Sequence, residues 1–192
     1  MVSCMNSILV QLNELAVTTF GIYYKLQYFV YMAVSGISQG TMPLISYFYG
    51  ANDKKKFKDT VNYSVILTVI IGIVCMGIFM VIPNLIMSMF YSDVENIDEI
   101  YTFLRIAALS FVFGGVNYIL ASYFQSIQHG FKSLLIAVLR QFVLILPAAF
   151  LLSLALNEKG VYLAIPISEL LTMLIIIPVF IKTNKKISMV LQ

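Results

Sequence analysis

Three ionisable side chains, Lys25, Arg140 and Glu169, stand inside long apolar stretches, and any chemistry the chain performs within a bilayer starts from them. A charged group near the middle of a membrane costs at least ~2.5–3.5 kcal/mol on insertion scales, so each must find a partner, a route to the surface or a function. Lys25 lies near one end of its stretch, where a long aliphatic stem lets the ammonium snorkel to the interface. Arg140 is eight residues into one stretch and Glu169 ten into the next, which runs the opposite way. At about 1.5 Å per residue their depths differ by roughly 7 Å, within reach of an arginine side chain. The spacing therefore predicts a pair. That pair either specifies the fold, or leaves Glu169 to titrate and Arg140 to contact a substrate in a cavity.

Uncharged polar residues in the same stretches, Gln39, Asn117, Gln125 and Gln141, point to a lined interior, and Gln39, Asn117 and Gln141 join Arg140 and Glu169 as cleft candidates. Other chemistry finds no residues. Cys4 and Cys75 lie in or beside apolar runs, where cysteine behaves as a small hydrophobe, and they offer neither metal-ligand spacing nor a disulfide framework. The single histidine, His129, sits in a polar break and reads as a loop residue. No phosphate-binding loop, nucleophile elbow or paired carboxylates occur, so no catalytic residue, metal or cofactor is expected, and no enzyme. No nucleic-acid partner is expected either.

The elements that must position these groups follow from composition. Of 192 residues 60% are hydrophobic and only 11% charged, against about 45–50% and 25% in a soluble domain, which excludes a water-soluble globule. Five apolar runs, 22–48, 61–91, 106–127, 133–156 and 160–181, each reach the roughly 20 residues that cross a bilayer. The stretch 1–12 is apolar but too short to span and reads as the end of a sixth helix. The expectation is an all-α polytopic membrane protein over 1–192, with five complete transmembrane helices and a truncated sixth at the N-terminus.

The breaks orient it. Segments 50–60, 128–132 and the tail after 181 hold eight Lys or Arg, whereas the alternating segments 13–20, 92–105 and 157–159 hold two. The positive-inside rule places the first set, and the C-terminus, in the cytoplasm. The run 61–91 is longer than one crossing, so 83–91 reads as an interfacial turn, and 92–105 alternates acids with Ile97, Ile100, Tyr101 and Leu104 as a short amphipathic helix on the outer surface. All five prolines, Pro43, Pro83, Pro147, Pro166 and Pro178, fall inside apolar runs. Membrane helices tolerate proline because neighbours re-satisfy the freed carbonyls, and kinked helices suit a moving bundle such as a transporter or channel. Gly36 and Gly40 form a GxxxG spacing that lets helices approach closely. Met, Phe and Tyr are plentiful, as a promiscuous apolar pocket or a lipid-facing surface would have them.

The segment GISQGTMPLISYFYGA at 36–51, with Gly36, Gly40, Pro43, Gly50 and Ala51 in register, resembles the multidrug and toxin extrusion (MATE) family. Leu104-Arg105-Ile106, Leu139-Arg140-Gln141 followed by Pro147, and Gly160-Val161 leading to Pro166-Ile167-Ser168-Glu169 are similar to later segments of that family in the same order. The resemblance implies one lobe of a two-lobe transporter, the second, from late helix seven to helix twelve, with Gly36, Gly40, Pro43, Pro147 and Pro166 as kink or close-packing positions. It implies proton- or sodium-driven export of amphipathic, often cationic, compounds across a bacterial inner membrane, with a first lobe or self-association needed for activity. The chain departs from members that place a coupling acid in helix ten, since 106–127 has none. A lipid-linked oligosaccharide flippase of the same superfamily, which would want a more cationic cleft, and a non-transporting scaffold or remnant stand as alternatives.

Overall fold

The computed structural model describes residues 2–11, 14–88 and 97–190, and every regular element among them is helical. In chain order these are α1 (Val2–Val10), α2 (Glu14–Gly50), α3 (Lys54–Val81), α4 (Pro83–Ser88), α5 (Ile97–Ala108), α6 (Ser110–Ser126) and α7 (Gly130–Val138). A π-helical turn (Leu139–Leu144) then leads into α8 (Ile145–Leu156) and α9 (Glu158–Val190). The chain is thus an all-α membrane protein. Among the described residues three helices are long and apolar enough to cross a bilayer, Lys54–Val81, Gly130–Leu156 and Glu158–Ile187, and the bent pair of α5 and α6 passes together as a fourth. The remaining expected span, α2, has ample length at 37 residues. Gln27, Ser35, Ser38, Gln39 and Thr41 dilute its apolarity below the others.

Helices replace most of the expected loops. The described part of the segment 13–20 is no loop: α2 already begins at Glu14, because Ala16, Thr19 and Phe20 are completely buried. The lysine segment 50–60 shrinks to a turn at 51–53, since Lys54 to Lys58 form the first turns of α3. Asn52 makes that turn at φ 61°, a left-handed conformation asparagine tolerates. Asp53 caps α3, its carboxylate accepting the Lys56 backbone N–H at 3.0 Å. The long run 61–91 breaks at Ile82, and Pro83 opens α4 at the first helical position, where its missing N–H costs nothing. The end of that turn, 89–91, and the start of the amphipathic segment, 92–96, lie outside the described residues.

The amphipathic helix ends later than expected. It runs past Arg105 to Ala108, and its apolar face packs into the bundle: Ile100, Phe103, Leu104, Ala107 and Ala108 are fully buried, while Thr102 and Arg105 stay exposed. It meets α6 at a 41° bend at Leu109, and Ile100–Ala108 with Ser110–Ser126 together have the length and apolarity of a broken span or a re-entrant loop. The bend has no proline. Pro147 instead follows the π-turn. Its ring collides with the carbonyl of residue 143 in regular helix, and the wider turn ending at Leu144 absorbs that conflict.

Two apolar clusters hold the bundle. One gathers Met5, Leu9, Phe20, Tyr23, Phe103, Phe111 and Tyr162 from α1, α2, α5, α6 and α9. The Phe103 and Tyr162 rings lie 4.1 Å apart and the Tyr23 and Phe103 rings 5.1 Å. The other gathers Ile45, Phe57, Tyr123, Phe124, Ile136 and Ile187 from α2, α3, α6, α7 and α9. Between them in the chain run of each helix lie the buried polar residues Thr68, Asn117, Ser168, Glu169 and Thr172.

Candidate functional site

Arg140 and Glu169 meet. Arg140 Nε lies 2.9 Å from Glu169 Oε1, with the side chains 15% and 6% exposed. Each element contributes for a local reason. The π-turn carries Arg140, Gln141 and Phe142, and all three line one cavity. The α9 helix brings Glu169 to the same place one turn after buried Pro166. From α6, Asn117 donates through Nδ2 both to the Glu169 backbone carbonyl at 2.9 Å and to Oε2 at 2.8 Å. From α2, the Tyr31 hydroxyl donates to Oε1 at 3.4 Å. The Arg140 guanidinium carbon stands 5.0 Å from the Tyr31 ring centre, a cation–π contact. The carboxylate is thus held from three other elements, which is what a buried ion pair requires if attraction is to offset desolvation. Asn117 Oδ1 is buried and has no partner among the described residues.

This cluster forms one wall of a cavity of about 450 Å³. An aromatic wall continues from the cluster through Tyr31: Tyr24, Gln27, Tyr28 and Tyr31 line it from α2 and Tyr118 from α6, with Ile145 and Ile165 adding apolar surface. Tyr118 donates to Ser35 Oγ at 3.3 Å, and its ring sits 6.3 Å from that of Tyr31. Sequence reasoning missed this wall. Its signal was present, since Tyr24, Gln27, Tyr28 and Tyr31 fall at i, i+3, i+4 and i+7, a single helical stripe.

The predicted site residues divide. Arg140, Gln141 and Glu169 line the cavity. Asn117 is wholly buried behind Glu169 and does not line it. Gln39 is exposed on a different face of α2, where its amide donates to Ser35 Oγ at 2.9 Å. Gly36 and Gly40 are also exposed there, and a Cβ at either would meet nothing within 4 Å, so the close packing expected of them is not made among the described residues. Pro43 and Pro147 are exposed as well. Tight approaches occur elsewhere, at Gly160 against the Leu152 backbone and, within this site, at Gly114. A Cβ there would run into the Tyr31 hydroxyl and come within 3.2 Å of the Glu169 carboxyl carbon. Among the described residues no group of three His, Cys, Asp or Glu could hold a metal ion.

The sequence model of the MatE family matches residues 2–151, three quarters of the chain and most of the helices that build this cavity. The chain belongs to the MatE family. It is 26% identical over 164 residues to the multidrug export protein MepA of Staphylococcus haemolyticus (strain JCSC1435), a match covering 85% of this chain and 36% of that protein. With MepA of Staphylococcus aureus (strain NCTC 8325 / PS 47) it shares 27% over 166 residues, 86% and 36% respectively. The chain therefore spans about a third of the length of these MatE relatives. Among solved structures the fold is similar to an inward-facing multidrug resistance MATE family transporter, with a TM-score of 0.89, 18% identity and coverage of 96% of this chain and 43% of that one. An outward-facing one gives a TM-score of 0.88 at 16% identity, covering 96% and 42%. The likeness is of the same size to both, so it identifies the fold of part of a MATE transporter and no conformational state. As a MatE member this is a multi-pass membrane chain related to exporters.

Proposed function

We propose that the chain is one lobe of a secondary multidrug exporter that moves amphipathic, often cationic, compounds out of a bacterial cell in exchange for protons or sodium. The observation that carries this reading is the cavity itself. In a chain of exporter relatives, a bundle that would otherwise be lipid-facing opens about 450 Å³ lined by tyrosines and a buried ion pair. Tyrosine rings stack on planar apolar compounds and attract cations, and about 300–1,000 Å³ is the size class of small-molecule pockets. Alternating access needs two units rocking around a site between them. We propose that a first lobe supplies the second unit, covering the exposed face of α2 that carries Gly36, Gln39 and Gly40. The chain lies in the inner membrane with its lysine-rich segment 50–60 and its C-terminal tail in the cytoplasm.

Dye efflux from cells lacking their own pumps tests this, with the chain expressed alone and then with a first lobe in trans. Efflux that needs both lobes and the cavity, and stops when the ion gradient is collapsed, is the expected result. Full efflux from the chain alone overturns the two-lobe reading, and efflux unaffected by Tyr28→Ala together with Tyr31→Ala overturns the role of the cavity.

A further inference from the structure

Away from the cavity, the lysine-rich end of the bundle holds cations that the chain does not neutralise. No Asp or Glu occurs in α7, in α8 or after Glu169, yet Lys132 stands on α7 and Lys182, Lys185 and Lys186 stand exposed on α9. Lys132 is half-buried. Its ammonium donates to Thr183 Oγ1 at 2.8 Å and lies 5.3 Å from the Phe124 ring centre. Ion pairs among the described residues join Lys56 to Asp53 and Arg140 to Glu169, so no carboxylate there answers Lys132. Lys132 belongs to the first turn of α7, whose N-cap His129 makes no side-chain bond, which leaves the positive end of that helix open to an anion.

Helix bearings gather these groups along one seam. Measured from Thr183, Lys186 is turned by about 60° and Lys182 by about 100° to one side of α9, whereas Phe180 is turned by about 60° to the other, where its ring packs on Tyr123 of α6. Deeper in the membrane on the lysine side, Val179 and Ile175 are 41% and 46% exposed. On α7, buried Ser133 turns toward α6 and accepts from Gln125 Nε2 at 2.9 Å, which leaves Leu135 and Val138 exposed on the side away from α6. The seam between α7 and α9 thus has a cationic mouth and apolar walls that run into the bilayer.

We propose that this seam binds an anionic phospholipid from the leaflet that meets the lysine-rich end. The phosphate meets Lys132, Lys182 and Lys186, and the acyl chains lie over Val179, Ile175, Leu135 and Val138. A free phosphate or an acidic polypeptide would answer the lysines and leave the apolar walls bare. A zwitterionic lipid would cover the walls and bring its own cation to the lysines. An anion that carries acyl chains satisfies both. Basic residues at a membrane surface attract anionic lipid in general; this place differs from the exposed Lys55 and Lys58 of α3 in holding a half-buried ammonium between two helices. None of its residues lines the cavity, so the inference stands or falls separately from export.

The chain contains no tryptophan, so a single one placed on its surface reports the lipid that touches it. Ile175→Trp sits in the seam, about 10 Å below Lys182. Ile66→Trp sits at an exposed position of α3 below Lys55 and Lys58, outside the seam. The full chain is reconstituted in mixtures of phosphatidylcholine and phosphatidylglycerol with one or the other brominated on its acyl chains, and quenching gives the ratio of their association constants at each position. Phosphatidylglycerol should be favoured at least ~5-fold at Ile175→Trp and less than ~2-fold at Ile66→Trp. Equal ratios at the two positions overturn the proposal, because they show only diffuse surface charge. Adding Lys132→Gln with Lys186→Gln should lower the seam ratio to that of Ile66→Trp, whereas Lys55→Gln with Lys58→Gln, which removes the same charge, should leave it. Loss of the preference in millimolar glycerol 3-phosphate would show that the headgroup alone suffices and overturn the lipid. In native mass spectrometry the unaltered chain should retain phosphatidylglycerol in preference to phosphatidylcholine; equal retention overturns the proposal without any variant having to fold.

Discussion

Separating Arg140 from Glu169 should cost the fold unequally on the two sides. In Arg140→Gln the carboxylate keeps Asn117 at 2.8 Å and the long contact from Tyr31 at 3.4 Å, but no positive charge. At 6% exposure it has little access to water, so the loss should be near the ~3–5 kcal/mol typical of a broken buried pair. In Glu169→Gln the guanidinium keeps its place 5.0 Å from the Tyr31 ring and opens to the cavity. A retained cation–π contact of ~0.5–2 kcal/mol and partial hydration should hold that loss to about 2–3 kcal/mol. The double variant Arg140→Gln with Glu169→Gln buries no charge and should lose less than the two singles added together, by at least ~1.5 kcal/mol. Unfolding of the purified chain in mixed micelles by increasing SDS, followed by far-ultraviolet circular dichroism, measures all four corners of the cycle. A coupling below ~0.5 kcal/mol, or an Arg140→Gln protein as stable as the unaltered chain, would refute the pairing as a source of stability.

Gly114→Ala should destabilise by about 1–3 kcal/mol in the same assay, because the new methyl meets the Tyr31 hydroxyl and the Glu169 carboxyl region; Gly36→Ala, with nothing within 4 Å, should change little among the contacts this chain makes. Cysteines placed at Lys56 and Lys185 should resist a membrane-impermeant thiol reagent in intact cells, and labelling of Lys56→Cys from outside would reverse the topology. Asp53 has its carboxyl held below the ordinary range, chiefly by the Lys56 backbone N–H it accepts. Its cap therefore supports the start of α3 fully above the ordinary aspartate range and loses that support as pH falls through the lowered value. Protection of the Phe57 and Lys58 amides, taken relative to their intrinsic exchange rates at each pH, should fall on that acid side in the unaltered chain and not in Asp53→Asn.

Membrane class and helical content were legible because they depend on composition and run length, which a bilayer reads one segment at a time. Element boundaries were less so. Glu14 to Phe20 looked like a polar break, yet Ala16, Thr19 and Phe20 are fully buried, and that packing makes the segment helical. The outer amphipathic segment had the right period, but period alone does not say whether its apolar face meets lipid headgroups or the buried ring of Tyr162, 4.1 Å from Phe103. The π-turn has no sequence signature beyond Pro147, whose conflict with residue 143 admits a kink, a break or a wide turn equally.

The pair of Arg140 and Glu169 was legible for a different reason: charge in an apolar run is scarce, and depth arithmetic needs only residue counts. Bearing around the helix axis needs a reference, and without a partner there is none. Once Tyr31 is fixed against Glu169, the rest of α2 follows at about 100° per residue. Gln39, eight residues on, is turned by about 80° and Gly40 by about 180°, so the glutamine leaves the cavity and the glycine faces directly away from it. Gly114, three residues before Asn117, stays on the inward side of α6 and takes the close approach. A polar or small residue in a membrane helix thus announces that some neighbour exists. Which neighbour depends on a bearing that only the first cross-helix contact supplies, and here that contact is the hydroxyl of Tyr31 on the carboxylate of Glu169.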